Sequence, residues 1–411
     1  MFDQTALFGS ALGIQEPIYI EKIDFEEEPG ELHIYMNFRP GGRFSCPVCG
    51  KPAMPLRDTV DKVWRHLNFF QFKCYIHMRT PRTECQECGV HLVTPPWAKS
   101  GSGFTILFEI LVLTMAKAMP VKEIARITGE HDTRLWRIIR RYVGDAYNEK
   151  DMCAVNAVGI DETSVQKGHK YISVFADMEA REVLYCTTGK GASTIGMFKE
   201  ALTKHNGAPR NIKELSMDMS PAFISGSAEY LPQAEVTFDK FHVIKLLNEA
   251  LDEVRRTEQK KNPLLTSTRY IWLKNPSCLT SRQKQALETL SNENLRTAKV
   301  YRMKITFQDI YKQIKEEAAA GEAIKKWLSW AVRSRLEPIK SFARMLKAHL
   351  KGVLRYFTSG LTAGTSEGIN SRIQQIKTRG KGFKNIGNFI SMIYLEMGGL
   401  SIPTLGVAHT K

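Results

Sequence analysis

The sequence predicts a multidomain α+β protein, and three features of the chain support this prediction. Its 411 residues exceed the size at which one hydrophobic core usually keeps growing. Two CxxC pairs in strand-like N-terminal sequence predict a metal-bound β domain. Further along, short β-rich runs alternate with helical patterns, and a long stretch without strand signals interrupts them. The second half of the chain is therefore expected to be an α/β domain with an all-helical insertion.

These signals divide the chain into five predicted segments. The Pro- and Gly-rich stretch around residues 95–103 marks the first boundary, and changes in strand and helix pattern mark the others. The segments are an N-terminal hairpin and zinc-ribbon domain (1–98), a helix-turn-helix domain (99–150), the first part of the α/β domain (151–244), the helical insertion (245–357) and the last part of the α/β domain (358–411).

The charge of the chain indicates an anionic partner. Its formal net charge is +15 and its pI is about 9.4. The basic residues are interleaved with Trp, Tyr and Phe, which favours nucleic acid over a membrane surface. The most apolar stretch, residues 104–119, contains Glu109 and Lys117 and is shorter than the roughly 20 residues that span a bilayer. The N-terminus carries Asp3 and lacks the basic start of a signal peptide, so a cytoplasmic location is expected.

The cysteine spacing indicates a metal site rather than a disulfide framework. CPVCG and CQECG each place two thiols on a tight turn, with glycine at the position that needs a positive φ. Together they supply the four sulfurs that structural zinc prefers, from Cys46, Cys49, Cys85 and Cys88. The rival ligands are Cys74, His77 and His91, and the alternative is a set of reduced thiols without metal.

Residues 121–147 have the pattern of a helix-turn-helix. Ala125, Gly129, Leu135 and Ile138 stand at its small, turn-glycine and apolar positions. Residues 131–133 (His-Asp-Thr) offer a cap for a second helix. Such a helix fits a major groove, where its arginines would reach base edges and phosphates. These arginines are Arg134, Arg137, Arg140 and Arg141. The alternative is an ordinary helical hairpin with a basic, solvated face.

Three acidic residues are predicted to meet in the α/β domain. Asp161 follows the apolar run 158–160 and is expected near the end of a strand. Asp218 follows the strand-like run 212–217, and the α/β order brings both aspartates to one edge of the sheet. Glu367 is expected in the first turn of a helix capped by Thr365 or Ser366. The alternatives are solvated strand-end aspartates and a glutamate that only complements the helix dipole.

Several neighbouring residues are weighed beside these three. Glu162 is expected to point to the opposite side of its strand from Asp161. Asp177 and Asp239 are competing acids, and His242 is expected either to position a phosphate or to fix the strand–helix corner. A phosphate-binding segment with a loop at 380–383 is predicted from Arg372, Lys377, Arg379, Lys381 and Lys384.

These elements together resemble a known family. CPVCG…CQECG, the helix-turn-helix, GIDETSV, SMDMSPAF with FDKFHVIKL, and TSEGINSRIQQIKTRGKGF run in the family's order from about Cys46 to Glu396. They resemble the DDE transposases of bacterial insertion sequences, specifically the ISL3 type. The resemblance implies an RNase H-like catalytic domain interrupted by a helical insertion, with Asp161, Asp218 and Glu367 as its acidic triad. Arg372 and Gln374 stand where family members often place other basic or polar residues.

The resemblance also implies an activity, cofactors and partners. The chain would bind the terminal inverted repeats of its element and catalyse metal-dependent DNA cleavage and strand transfer. Two Mg²⁺ ions, or Mn²⁺, would serve the triad, with Asp161 bridging them, since Mg²⁺ prefers carboxylate oxygens. The expected partners are double-stranded end and target DNA and further copies of the chain on DNA, as a homodimer or higher oligomer.

No membrane is expected among the partners, and the location would be the bacterial cytoplasm, at the nucleoid. Two alternatives remain open at this point. One is a zinc-ribbon and helix-turn-helix regulator without catalysis, and the other is an RNase H-like nuclease that cuts without joining.

Overall fold

A computed structural model describes residues 4–166, 170–359 and 363–403. The chain divides into two compact units, of which the first ends at Tyr142 and the second runs from Val143 to Leu400. Within the described ranges, no helix is both long enough and apolar enough to cross a membrane.

The first unit begins with a helix and a five-stranded sheet. These elements are α1 (Gln4–Leu12), β1 (Ile18–Glu26), β2 (Glu31–Phe38), β3 (Leu56–Phe69), β4 (Phe72–Cys85) and β5 (Gly89–Leu92). The strand order is β1-β2-β4-β3, and β5 pairs with β4. The antiparallel β1–β2 pair confirms the predicted hairpin. Leu32, Ile34 and Met36 alternate along β2 and are buried, because every second side chain of a strand faces the same side.

Three helices complete the first unit: α2 (Ile106–Ala116), α3 (Val121–Thr128) and α4 (Asp132–Asn148), the last of which continues into the second unit. Thr105 caps α2 by accepting a hydrogen bond from the Phe108 amide. Gly129 ends α3 at a φ of 70°, a backbone conformation that glycine adopts without steric cost. Ile124 and Leu135 are fully buried between the helices. The predicted helix–turn–helix order is therefore present.

A second five-stranded sheet lies in the second unit. Its strands are β6 (Ala157–Gln166), β7 (Lys170–Asp177), β8 (Glu182–Thr188), β9 (Glu214–Met217) and β10 (Glu235–Phe238), in the order β10-β9-β6-β7-β8. β6, β7 and β8 form an antiparallel meander, whereas β9 and β10 run parallel to β6. Two helices connect these strands, α5 (Ser193–Lys204) and α6 (Pro221–Tyr230), and Pro221 stands at the start of α6.

The first strand of this sheet is longer than the sequence suggested. β6 pairs with β7 as far as Gln166, but it pairs with β9 only over residues 157–160. Asp161 therefore does not end its strand. It is the first residue of β6 beyond the pairing with β9. From Asp161 onwards, β6 pairs with β7 on one side and is not paired with β9 on the other.

Helices follow the last strand. They are α7 (Lys240–Gln259), α8 (Arg269–Leu273), α9 (Ser281–Asn292), α10 (Arg296–Gln313), α11 (Glu317–Val332), α12 (Glu337–Ala348) and α13 (Leu350–Leu354). α7 runs without interruption through Lys245, where the sequence suggested a segment boundary. One hydrophobic cluster contains Val158 and Phe198 of the α/β part together with Phe307 and Trp327 of the helices. The helices are therefore packed on the sheet through a shared core.

Two helices close the second unit, α14 (Ala363–Arg379) and α15 (Ile386–Met397), and the predicted loop lies between them. α14 is already helical at Ala363, so Thr365 and Ser366 lie within the helix and do not cap it. For the same reason Glu367 is not in its first turn, contrary to the prediction. Ile369, Ile373 and Ile376 are buried at helical spacing, so packing of this face stabilises the helix.

Candidate active site and zinc centre

The four cysteines of the two CxxC pairs converge in the first unit. Their sulfurs all lie within 4.8 Å of one another, and no other set of three or more candidate ligands does so among the residues that the structure describes. The Sγ atoms of Cys49 and Cys85 are 3.8 Å apart. Four sulfurs placed about 2.3 Å from a central zinc would be separated by about 3.8 Å, so the donor set fits tetrahedral zinc.

The knuckle backbones favour thiolates at this centre. Amides of Val48 and Cys49 lower the pKa of Cys46 to about 7, and amides of Glu87 and Cys88 lower that of Cys85. Amide donors stabilise a thiolate more than a thiol, and the thiolate is the form that binds zinc. Hydrogen bonding with Cys49, together with burial, raises the pKa of Cys88.

The rival ligands are not members of this sulfur cluster. Cys74 is buried in the sheet, and burial raises its thiol pKa to about 11. His77 pairs with His33 at 2.9 Å. His91 Nε2 lies 2.6 Å from the Cys88 carbonyl oxygen. The four cysteines that the spacing predicted are therefore the set of side chains that fits a zinc ion.

The arginines of α4 fall into two groups. Arg137 and Arg140 are exposed, and exposed Arg134 pairs with Glu130 while lying 4.3 Å from the centre of the Phe104 ring. Arg141 points instead to the fully buried carboxylate of Glu109. Glu109 also accepts hydrogen bonds from Ser102 Oγ at 2.6 Å and from the Tyr142 hydroxyl at 2.9 Å. Arg141 therefore links α4 to α2.

In the second unit, an open cleft of about 490 Å³ collects acidic residues from separate parts of the chain. Asp161 and Glu162 enter it from β6, Asp239 from the start of α7, and Glu367 from α14. Its remaining lining residues are Thr163, Phe241, His242, Lys245, Asn370 and Gln374. The helical segment separates Asp161 from Glu367 along the chain, so the fold brings these two acids to one cleft.

The environment of Asp161 acts on its carboxyl group in two opposing ways. Burial raises the pKa of its carboxyl group, and the nearby charge of Asp218 raises it further. Two hydrogen bonds act in the opposite direction. One comes from the Asn370 amide to Oδ2, and the other comes from the Glu162 backbone N–H to Oδ1 at 2.6 Å.

Asp218 lies directly after β9, as the sequence predicted. Its Oδ1 accepts a hydrogen bond from the Ser220 amide at 2.9 Å, which orders the turn into α6. Burial and, after it, the charge of Asp218 raise the pKa of Glu162. The oxygens of Asp161, Asp218 and Glu367 are not all within 4.8 Å of one another. Ligands shared between two ions about 4 Å apart need not be that close.

The competing residues have distinct positions. Glu162, expected on the opposite side of β6, lines the same cleft as Asp161, because β9 has ended there and leaves the strand edge open. Asp177 instead accepts amide hydrogen bonds from Glu179 and Ala180 in a turn. Asp239 caps α7 and lies 3.2 Å from His242 Nδ1. That hydrogen bond is the main cause of the raised pKa of His242.

A polar stripe on α14 attaches this helix to β6. Asn370 donates to Asp161, Gln374 Nε2 donates to Thr163 Oγ1 at 2.9 Å, and Lys377 Nζ donates to the Ser164 carbonyl at 2.5 Å. Residues four and three apart lie on one helix face, so the spacing contained this signal. The contact between Asn370 and Asp161 was not predicted from the sequence.

The basic residues after Glu367 differ in accessibility. Arg379 forms an ion pair with Glu396, and Arg372 donates to the Glu396 carbonyl oxygen at 3.2 Å. Lys377 is held by β6, as described above. Lys381 and Lys384 are exposed in the loop between α14 and α15.

Three models of known protein families match this chain. The DDE family model for ISL3 elements, described as "Transposase", matches residues 158–393. A model described as "Helix-turn-helix domain of transposase family ISL3" matches residues 93–143. A third, described as "zinc-finger of transposase IS204/IS1001/IS1096/IS1165", matches residues 42–88.

Two relatives match over nearly their whole length. The transposase for insertion sequence element IS1557 of Mycobacterium tuberculosis is 28% identical over 437 aligned residues, covering 98% of this chain and 97% of the relative. The transposase for insertion sequence element IS1001 of Bordetella parapertussis is 27% identical over 404 residues, covering 95% and 97%. With the zinc centre, the helix-turn-helix and the matched transposase domain in one chain, this protein belongs to the ISL3 family of DDE transposases.

Proposed function

We propose that this transposase binds the terminal inverted repeats of its insertion sequence and catalyses Mg²⁺-dependent cleavage and strand transfer with Asp161, Asp218 and Glu367. The observation that carries the proposal is the acidic cleft, which Asp161 and Glu367 line together although the helical segment separates them in the chain. Like charges in proximity resist ionising together, so a cation accounts for their grouping.

The second sheet supports an RNase H-like catalytic domain. Three antiparallel strands are followed in the chain by two strands parallel to the first, and the first strand lies at the centre. Asp161 lies on that central strand and Asp218 directly after its parallel neighbour β9. The helices from α7 to α13 stand between β10 and α14, where the resemblance implies an insertion.

The donor set fits Mg²⁺, which prefers hard oxygen ligands and keeps several waters. Asp161, Asp218 and Glu367 would hold the ions through their carboxylate oxygens. The bound ions, or Mn²⁺ in their place, would activate the nucleophile and stabilise the leaving oxygen of the phosphodiester. Asn370 holds the Asp161 carboxylate in place. His242, oriented by Asp239, offers a hydrogen-bond donor to a phosphate oxygen entering the cleft.

End recognition is assigned to the first unit. Arg134, Arg137 and Arg140 present a basic helix face that suits a major groove, with the zinc centre stabilising the adjacent sheet. Arg141 contributes through its ion pair with Glu109 rather than through DNA. In the second unit, the exposed Lys381 and Arg372 are accessible to phosphate, whereas Lys377 and Arg379 are engaged by the Ser164 carbonyl oxygen and by Glu396. Joining two element ends to one target calls for a homodimer or higher oligomer on DNA.

The test is a cleavage and joining assay on duplexes carrying the element ends. The wild-type protein should cut and join in the presence of Mg²⁺. Asp161→Asn should lose both reactions and still bind the ends, because end binding is assigned to the other unit. Asp177→Asn is a matched control, since this acid orders a turn and lies outside the cleft lining. Cleavage without joining would indicate a nuclease, and binding without cleavage a regulator.

A further inference from the structure

A second cleft, strongly basic, lies next to the acidic one within the same unit. Its volume is about 910 Å³, and α7, α8 and α10 contribute most of its lining. Seven of the lining side chains are lysine or arginine and two are acidic, which gives the cleft a net charge of +5. The acidic cleft has four carboxylates and one lysine, for a net charge of −3 with neutral histidine.

The two clefts are continuous along α7. Phe241 and Lys245 line both of them and stand four residues apart, on one face of the helix. That face continues past Asn248 and Asp252 to Arg256 in the basic cleft. The distance from Lys240 to Arg256 along the helix is about 24 Å at 1.5 Å per residue. A single helix face therefore leads from the acidic cleft into a basic one.

The cations of this cleft are held in place. The largely buried Asp252 carboxylate lies 2.8 Å from an Arg255 nitrogen and 3.5 Å from nitrogens of Arg256 and Arg269. One carboxylate neutralises only one of these three guanidinium groups. The side chains of Arg256 and Arg269 remain 65% and 54% exposed, so their charged ends face the open cleft. The network orders the arginines and leaves a positive surface.

Where the two clefts meet, an aromatic ring is exposed. Phe241 lies in the first turn of α7 and is 58% exposed, beside Lys245. An exposed ring flanked by cations is the combination that proteins use to hold a nucleic-acid strand, with the ring stacking on a base and the cations holding the backbone. A solvated surface position would not require an aromatic side chain here.

The charges of the two clefts explain why both are needed. A DNA phosphate approaching a cleft of net charge −3 is repelled until cations offset that charge. The adjacent cleft of net charge +5 supplies this attraction within the same unit. Its helix face of about 24 Å matches about seven phosphates of one strand in a duplex, at 3.4 Å per phosphate.

We propose that the basic cleft along α7 binds the phosphate backbone of the DNA strand that enters the acidic cleft, and that Phe241 stacks on a base beside the reacting phosphate. This is a DNA-binding site additional to the helix-turn-helix, and it rests on the proposed function of the acidic cleft. Its recognition is independent of sequence, because it uses backbone charge and a ring face.

The first experiment measures the salt dependence of binding by the full-length protein to duplexes carrying the element ends with flanking DNA, without Mg²⁺. Arg256→Gln with Lys274→Gln removes two charges from the cleft and should make the logarithmic salt slope shallower by about 2, at roughly 0.9 per phosphate contact. Lys325→Gln with Lys326→Gln is the matched control, because these exposed α11 residues are outside the cleft lining. It should leave the slope unchanged. Equal slopes for both pairs, with equal thermal stability, would overturn the proposal.

The second experiment places 2-aminopurine beside the cleavage position in a duplex and in the corresponding single strand. Stacking on Phe241 should change its fluorescence on binding, Phe241→Leu should remove that change, and Phe241→Trp should keep it. A response in the duplex indicates that the base leaves its pair, and a response confined to the single strand indicates binding of an opened end. An identical response for wild type and Phe241→Leu in both probes would refute the stacking.

The two proposals fail in different ways. If Asp161→Asn still cleaves, the proposed function of the acidic cleft is wrong, whatever the salt slopes are. If Asp161→Asn is inactive and the basic-cleft variant behaves as its control, the second DNA site alone is wrong.

Discussion

Replacing Arg141 with alanine should destabilise the first unit, whereas replacing Arg137 should weaken DNA binding without affecting stability. Both arginines were predicted to contact DNA from one helix, so the pair tests how the structure separates them. Arg141 faces the buried Glu109 carboxylate, and Arg137 faces solvent.

The size of the effect follows from burial. The Glu109 side chain is fully buried and that of Arg141 is 28% exposed, so truncation leaves a buried carboxylate without its counter-charge. Breaking a buried ion pair typically costs about 3–5 kcal/mol. Ser102 and Tyr142 still donate hydrogen bonds to Glu109 in the variant. The expected loss of stability is therefore at the lower end of this range, about 3 kcal/mol. For a unit of this size the apparent Tm should then fall by roughly 6–12 °C.

The assay combines calorimetry of the full-length protein with salt-dependent binding to end DNA. Arg141→Ala should lower the unfolding temperature of the first unit and leave the salt slope unchanged where the protein is folded. Arg137→Ala should change stability by less than about 0.5 kcal/mol and make the slope shallower by about 0.9. Glu109→Gln combined with Arg141→Met removes both charges and should recover much of the lost stability. Unchanged stability in Arg141→Ala, with a slope reduced as in Arg137→Ala, would refute the reasoning.

The remaining predictions concern metal, pH and the turn of the helix-turn-helix. Elemental analysis should find about one zinc per chain, lost in Cys85→Ser and retained in the control Cys278→Ser, whose thiol is exposed in the second unit; zinc retained in both would exclude the four-cysteine site. Burial and the Arg65 charge lower the pKa of His66 to about 4, so the unfolded chain takes up this proton below about pH 6.5 and the folded chain only near pH 4. The free energy of unfolding should therefore decrease by at most about 3 kcal/mol as the pH is lowered from about 6.5 to about 4. In acid unfolding experiments, His66→Gln should make the free energy of unfolding less dependent on pH over this range. An equal pH dependence in the wild-type and variant proteins would contradict this prediction. Gly129→Val should lower stability by about 1–2 kcal/mol and Gly129→Asn by less, because asparagine tolerates the positive φ better; thermal unfolding that ranks them in the opposite order would argue against backbone strain.

Short-range chemistry was readable from the sequence. The two CxxC pairs carry their own turn geometry, so the set of four cysteines that converge could be predicted from spacing alone. The same holds for the turn at Gly129, which is set by the conformation of one residue. The resemblance in motif order gave the family, which the comparisons confirm over the zinc ribbon, the helix-turn-helix and the transposase domain.

The sequence by itself thus determined the modules of this protein, their order and the residue types available for chemistry. Only the tertiary structure decided the surroundings of each side chain. The β7 partner extends β6 beyond Asp161, and the early end of β9 opens the edge that admits Glu162. Arg141 forms an ion pair with the buried Glu109 carboxylate of α2 and so differs from the arginines on the exposed face of α4. The physical reason is that turns and caps depend on neighbours within a few residues, whereas burial, ion pairing and convergence in a cleft depend on packing between distant segments.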